Sequence, residues 1–127
     1  MSDLPLLKSI MSQVIESVDK IQRRFSEVER PDDFLESDAG IDKLDGIVLM
    51  LITIGENLKR FEKYGGIPFM SEHPEIDWKG AIGVRDFLSH HYFDLDAEVV
   101  FQICKYRIAD LKKAVTEIRA SLQSSLQ

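Results

Sequence analysis

Three long stretches of this chain carry apolar residues at alternating steps of three and four, and that spacing commits most of it to helices. The first runs Leu7, Met11, Val14, Val18, Ile21, Phe25, Val28. The second runs Leu44, Ile47, Leu51, Ile54, Leu58, Phe61, and the last runs Ala97, Phe101, Cys104, Ile108, Leu111, Val115, Ile118, Leu122. Side chains so spaced line one side of a helix and need a neighbour to cover them. Val48 and Ile52 widen the second stripe, so that helix should meet two neighbours, or one neighbour and another subunit. No run of alternating β-branched residues, internal repeat or low-complexity segment interrupts the pattern.

The breaks divide the chain into four main helices. Arg30-Pro31-Asp32-Asp33 should end the first, because proline disfavours a helical residue before it. Ser37 or Asp38 can cap the second by accepting backbone N–H bonds, and Gly65-Gly66-Ile67-Pro68 should end it. Asp77 can cap a third beginning at Trp78, and Asp94 or Asp96 a last one. The expected fold is all-α: an antiparallel up-and-down four-helix bundle, with room for one extra short helix between Pro68 and Glu75, in a single domain over 1–127. At a rise of about 1.5 Å per residue, the first and last helices would each be roughly 35–45 Å long. Helices of that length in a small protein leave apolar surface that a homodimer would cover.

Composition narrows the function. With 44% hydrophobic residues the chain can build a core, and a net charge of −6 argues against broad binding to nucleic acid or anionic membrane. Lys105, Arg107, Lys112, Lys113 and Arg119, against Asp110 and Glu117, form a local basic excess. It reads either as a solvated helix face or as a phosphate-tracking patch. The lone Cys104 excludes an intramolecular disulfide and reads as a structural thiol. No apolar run reaches about 18 residues, so no membrane span is expected, and MSDLPLLKSI lacks the pattern of a signal peptide. A reducing cytoplasm fits these features.

Chemistry-bearing residues concentrate at Arg85-Asp86-Phe87-Leu88-Ser89-His90-His91-Tyr92. Arg85 interrupts a partly apolar stripe of the third helix, so an inward-facing guanidinium would need a partner, and Glu56 on the second helix can supply it. Asp86 and His90, four apart, can touch, the carboxylate orienting the imidazole as in general-base pairs. Arg85 and His90 point about 140° apart on a straight helix. Either the helix unwinds near His90 or the site forms at a junction, for example between two subunits. The set suits RNA phosphodiester cleavage: an imidazole takes the 2′-hydroxyl proton and an arginine neutralises the phosphate. A metal site is disfavoured, since His73 lies apart in a loop and adjacent histidines point apart on a helix.

Arg85, four residues, His90, one residue, Tyr92 resembles the R-x4-H-x-Y signature of HepT-like HEPN toxins. Asp38-Ala39, Ile54-Gly55-Glu56, His73-Pro74-Glu75-Ile76-Asp77-Trp78, and Asp94-Leu95-Asp96 with Val99 and Val100 extend the likeness over roughly residues 5–120. The resemblance implies a helical homodimer with the motifs of both protomers in a cleft at its interface. It implies a metal-independent endoribonuclease, without cofactor, acting as the toxin of a toxin–antitoxin pair. The implied partner is an MntA-type minimal nucleotidyltransferase that uses ATP to place AMP on the motif tyrosine. On that resemblance Arg85 and His90 are catalytic, Tyr92 is the modification acceptor, and Glu56, Asp86 and His91 are supporting residues. Two alternatives remain: a non-catalytic subunit of a nucleotidyltransferase, and a purely structural dimer in which Arg85–Glu56 is a buried ion pair.

Overall fold

The computed structural model describes residues 3–90 and 94–126, with side chains described for 3–88 and 97–124. Among the described residues all regular structure is helical: α1 (Leu4–Phe25), α2 (Asp38–Phe61), α3 (Ile67–Ser71), α4 (Trp78–His90), α5 (Asp94–Tyr106) and α6 (Ile108–Leu126).

The first helix opens on Leu4-Pro5, where proline costs no hydrogen bond, and closes with Arg23 and Arg24 against its negative dipole end. It stops at Phe25, earlier than Pro31 requires. The chain then folds back, with Val28 donating to the Phe25 carbonyl at 2.9 Å and burying its side chain. A 3₁₀ turn, Pro31–Phe34, follows. Asp33 accepts the N–H groups of Glu29 and Arg30, and Phe34 is fully buried. These backbone bonds hold the Asp33 carboxyl below its usual pKa.

Of the two candidate caps on α2, Ser37 serves: its Oγ accepts from Gly40 N–H at 3.0 Å. The predicted stripe from Leu44 to Phe61 is buried throughout. Val48 is buried as well, because α2 packs against α1 on one side and α4 on the other. Lys43–Glu27 at 3.6 Å and Arg24–Gly46 at 3.4 Å join the end of α1 to the start of α2, so the pair is antiparallel. After Phe61 the chain makes a wide turn, and Gly65 takes φ +102°, a conformation that glycine adopts without strain. The extra short helix anticipated after Pro68 is α3. Trp78 Nε1 then donates to the carbonyls of Met70 and His73, and Asp77 Oδ1 caps α4 by accepting from Gly80 N–H at 2.9 Å.

The last stripe departs from expectation. Instead of one long helix it forms two, α5 and α6, separated at Arg107, so the four main helices of the sequence pattern become five with α3 in addition. Backbone bonds from Arg107 to Ile103 and from Leu111 to Arg107 carry the chain across the bend. The buried face of α5 meets the 3₁₀ turn, α2 and the end of α1, where Phe101 stands edge-on to Phe25 at 5.3 Å, whereas α6 runs along α1. Lys112 reaches Asp19 and Arg119 reaches Ser12, so α6 runs antiparallel to α1. The two halves thus pack against different sets of neighbours. Asp94 and Asp96 begin α5, but their side chains lie outside the described residues. The buried side chains of these elements form one hydrophobic cluster. Among the described residues no helix is long and apolar enough to cross a membrane.

Candidate active site

The site is built on α4 and the middle of α2. Gly55 lets the two helices meet: a Cβ there would stand 2.9 Å from the carbonyl oxygen of Ala81. That close approach sets Glu56, the next residue of α2, beside α4. Arg85 Nη1 donates to Glu56 Oε1 at 2.8 Å. The pairing anticipated from sequence is therefore made, but not where it was placed. Arg85 and Glu56 side chains are 62% and 51% exposed, so the guanidinium faces solvent. The inward stripe of α4 is carried by Leu88, fully buried, with Ala81 and Val84 half-buried. An ion pair so exposed contributes about 0–1 kcal/mol, which removes the buried-pair reading. With one donor on Glu56, the planar fork of Arg85 has further N–H groups that suit a phosphate.

The backbone of α4 is helical through His90, so the chain does not unwind between Arg85 and His90. Asp86, adjacent to Arg85, is exposed. The side chain of His90, and the whole of His91 and Tyr92, lie outside the described residues, so the proposed contact of Asp86 with His90 does too.

Elsewhere, His73 Nδ1 lies 3.2 Å from Glu75 Oε2 and 3.8 Å from Glu117 Oε2. Glu75 is held below its usual pKa, chiefly by its own backbone N–H, with His73 and Lys113 adding to the effect. Among the described residues no cluster of three or more His, Cys, Asp and Glu side chains could hold a metal ion. The basic excess of the last stripe is dispersed: Lys112 and Arg119 are turned onto α1, and Lys105 lies over the rings of Phe101 and Tyr106. Burial pushes the Cys104 thiol up to about 12, which fits a structural thiol rather than a nucleophile.

Leu49, 59% exposed, was not singled out by the sequence reading. It lies seven residues before Glu56, on the same face of α2. The signal was available, since Leu49 stands outside the buried stripe of α2.

A small all-helical protein that presents an arginine from a surface helix is thus defined by fold and site together. The family model described as Ribonuclease HepT-like matches residues 14–118, and the chain belongs to that family. Among curated relatives, a Methanocaldococcus jannaschii protein named as a candidate RNase is 31% identical over 72 residues, 57% of this chain and 56% of that protein. A Thermococcus cleftensis protein named as a candidate ribonuclease HepT is 33% identical over 73 residues, 58% of this chain and 63% of that one. A second Methanocaldococcus jannaschii protein, named both as a gamma-glutamylcyclotransferase and as a candidate RNase, is 24% identical over 119 residues. That match takes in 94% of this chain but 50% of the relative. The chain spans 56–63% of the length of the first relatives it matches. No solved structure matches it significantly.

Proposed function

We propose that this chain is a metal-independent endoribonuclease acting as the toxin of a toxin–antitoxin pair, with Arg85 and His90 as its catalytic residues. The observation that carries the reading is the solvent-facing guanidinium of Arg85, five residues before His90 on one unbroken helix, in a member of the HepT-like family. In the proposed step, His90 accepts the proton of a ribose 2′-hydroxyl. The 2′-oxygen bonds to the adjacent phosphorus, and the bond to the 5′-oxygen breaks as that oxygen gains a proton. Arg85 stabilises the charge that builds on the phosphate. The nucleophile is the substrate's own hydroxyl, so the step calls for neither a metal nor a cofactor.

A five-residue spacing on a helix corresponds to about 140° of rotation, which supports a cleft shared by two protomers. Leu49, exposed on the same face of α2 as Glu56, offers apolar surface for a second copy. Glu56 would hold Arg85 poised, and Asp86 and His91 would support the imidazole. Tyr92 would accept AMP from ATP in a reaction run by a partner nucleotidyltransferase, with pyrophosphate leaving. The bulk and negative charge of the adduct, two residues from His90, would repel an RNA phosphate.

The test expresses wild type, Arg85→Ala and His90→Ala without a partner. Wild type should slow growth and cleave RNA, and both variants should do neither. If wild type is inert, or both variants are fully active, the reading fails. A second reading, a non-catalytic nucleotidyltransferase subunit, is favoured by one observation: Lys112 and Arg119 are engaged by α1 in a chain of net charge −6. RNA cleavage by the isolated wild type would eliminate it.

A further inference from the structure

We propose that the groove between α4 and the α5–α6 bend is the docking site for an amphipathic helix of a partner protein, one whose aliphatic stripe ends in a lysine or arginine. The groove lies beside the break between α5 and α6 at Arg107. The helix α6 stays on α1 and α4 stays on α2, and the wedge between them holds a cavity of about 450 Å³. Leu51 and Ile54 of α2 form its floor, Ala81 and Val84 of α4 one wall, and Ile103 and Leu111 the other.

Shape and charge select the occupant. The α4 wall runs from Asp77 to Val84, about 10 Å, or two helical turns. That length suits aliphatic anchors spaced i, i+3, i+4 and i+7 on a helix laid in a groove. Tyr106, 59% exposed, also lines the cavity, which is therefore open to solvent there. The charged lining is uneven. His73 lies 3.8 Å from Glu117, and Lys113 acts on Glu75, so the start of α4 stands beside the first turns of α6. Glu75, Asp77 and Asp110 thus gather towards one end, against the single cation Arg107. Glu75 is partly answered by His73 and Lys113, whereas among the described residues Asp110 forms no ion pair. A cation at one end of the incoming stripe would meet that end.

This inference does not depend on nuclease activity. Its test titrates the whole chain into a fluorescein-labelled model helix, aliphatic at i, i+3, i+4 and i+7 with lysine at one end. Controls carry glutamate for lysine, or a scrambled order. Amide chemical shifts map the site, and circular dichroism checks that Val84→Glu and Asp110→Lys remain folded. The lysine probe should bind saturably and about tenfold more tightly than the glutamate probe. Val84→Glu should weaken it about tenfold, and Asp110→Lys should erase the charge preference. Shifts should centre on Ala81, Val84, Ile103 and Leu111. Shifts centred elsewhere, binding indifferent to both variants, or a second copy of the chain already seated in the groove would overturn the proposal.

Discussion

Arg85 on α4 and Glu56 on α2 meet at 2.8 Å across 29 residues of sequence, yet both remain in solvent. Water and salt screen such a pair, so it contributes little to holding the fold, and on the proposed function its part is to aim the guanidinium. Glu56→Gln should change unfolding free energy by less than about 1 kcal/mol in urea titrations. Arg85→Ala should be equally mild for stability while lowering RNA cleavage by a factor of about a hundred or more, as expected for loss of a charge-stabilising donor. A large loss of stability in either variant would show that the pair is structural after all.

The meeting of α2 and α4 depends on Gly55. In an exposed helix, glycine to alanine would stabilise by roughly 1 kcal/mol. Here the new Cβ would come within 2.9 Å of the Ala81 carbonyl oxygen and 3.1 Å of that of Ile82. Backbone cannot give way as a side-chain tip can, so the sign should reverse. Gly55→Ala is expected to destabilise by about 1–3 kcal/mol. It should also shift α4, measurable as a loss of cleavage beyond that of Glu56→Gln at temperatures where both variants are folded.

The helices were legible because burial leaves a periodic signature: the stripes of α1 and α2 are buried at nearly every position named from sequence. Ser37, Asp77 and the Arg85–Glu56 pairing were also readable, since each rests on local chemistry or on a charge in need of a partner. The bend at Arg107 was not. No proline or glycine marks it, and the stripe continues through it in phase, because both halves bury the same side against different sets of neighbours. The exposure of Arg85 was misjudged for a related reason. Residues beside an apolar stripe face inward only if a neighbour covers them, and Arg85 remains 62% exposed beside Glu56. The groove depends on where helices diverge, a property of three elements at once.

The cap at Ser37 should be separable from its neighbour. Its hydroxyl accepts from Gly40 N–H, whereas Asp38 occupies the first turn and acts through its charge on the helix dipole. Ser37→Ala should cost about 1 kcal/mol in chemical denaturation. Asp38→Asn should cost less, roughly 0.3–1 kcal/mol, and its effect should shrink in high salt. Equal losses with equal salt dependence would contradict this division.

Cys104 gives a pH-dependent expectation. Burial holds its thiol protonated to about pH 12, against 9.0 for an exposed cysteine thiol. The folded group therefore binds its proton more tightly than the unfolded one. Its contribution to stability is fully present below pH 9 and is lost as pH rises towards 12. The urea midpoint should fall along that alkaline limb, and Cys104→Ala should flatten the fall while costing some packing at every pH. At pH 8 the thiolate fraction of the folded protein should be about three orders of magnitude below that of the unfolded chain. Alkylation by iodoacetamide should accordingly be slow in the native state and should accelerate in urea. Rapid native labelling at pH 8 would mean that the thiol is open to solvent, and the alkaline loss of stability would then have another origin.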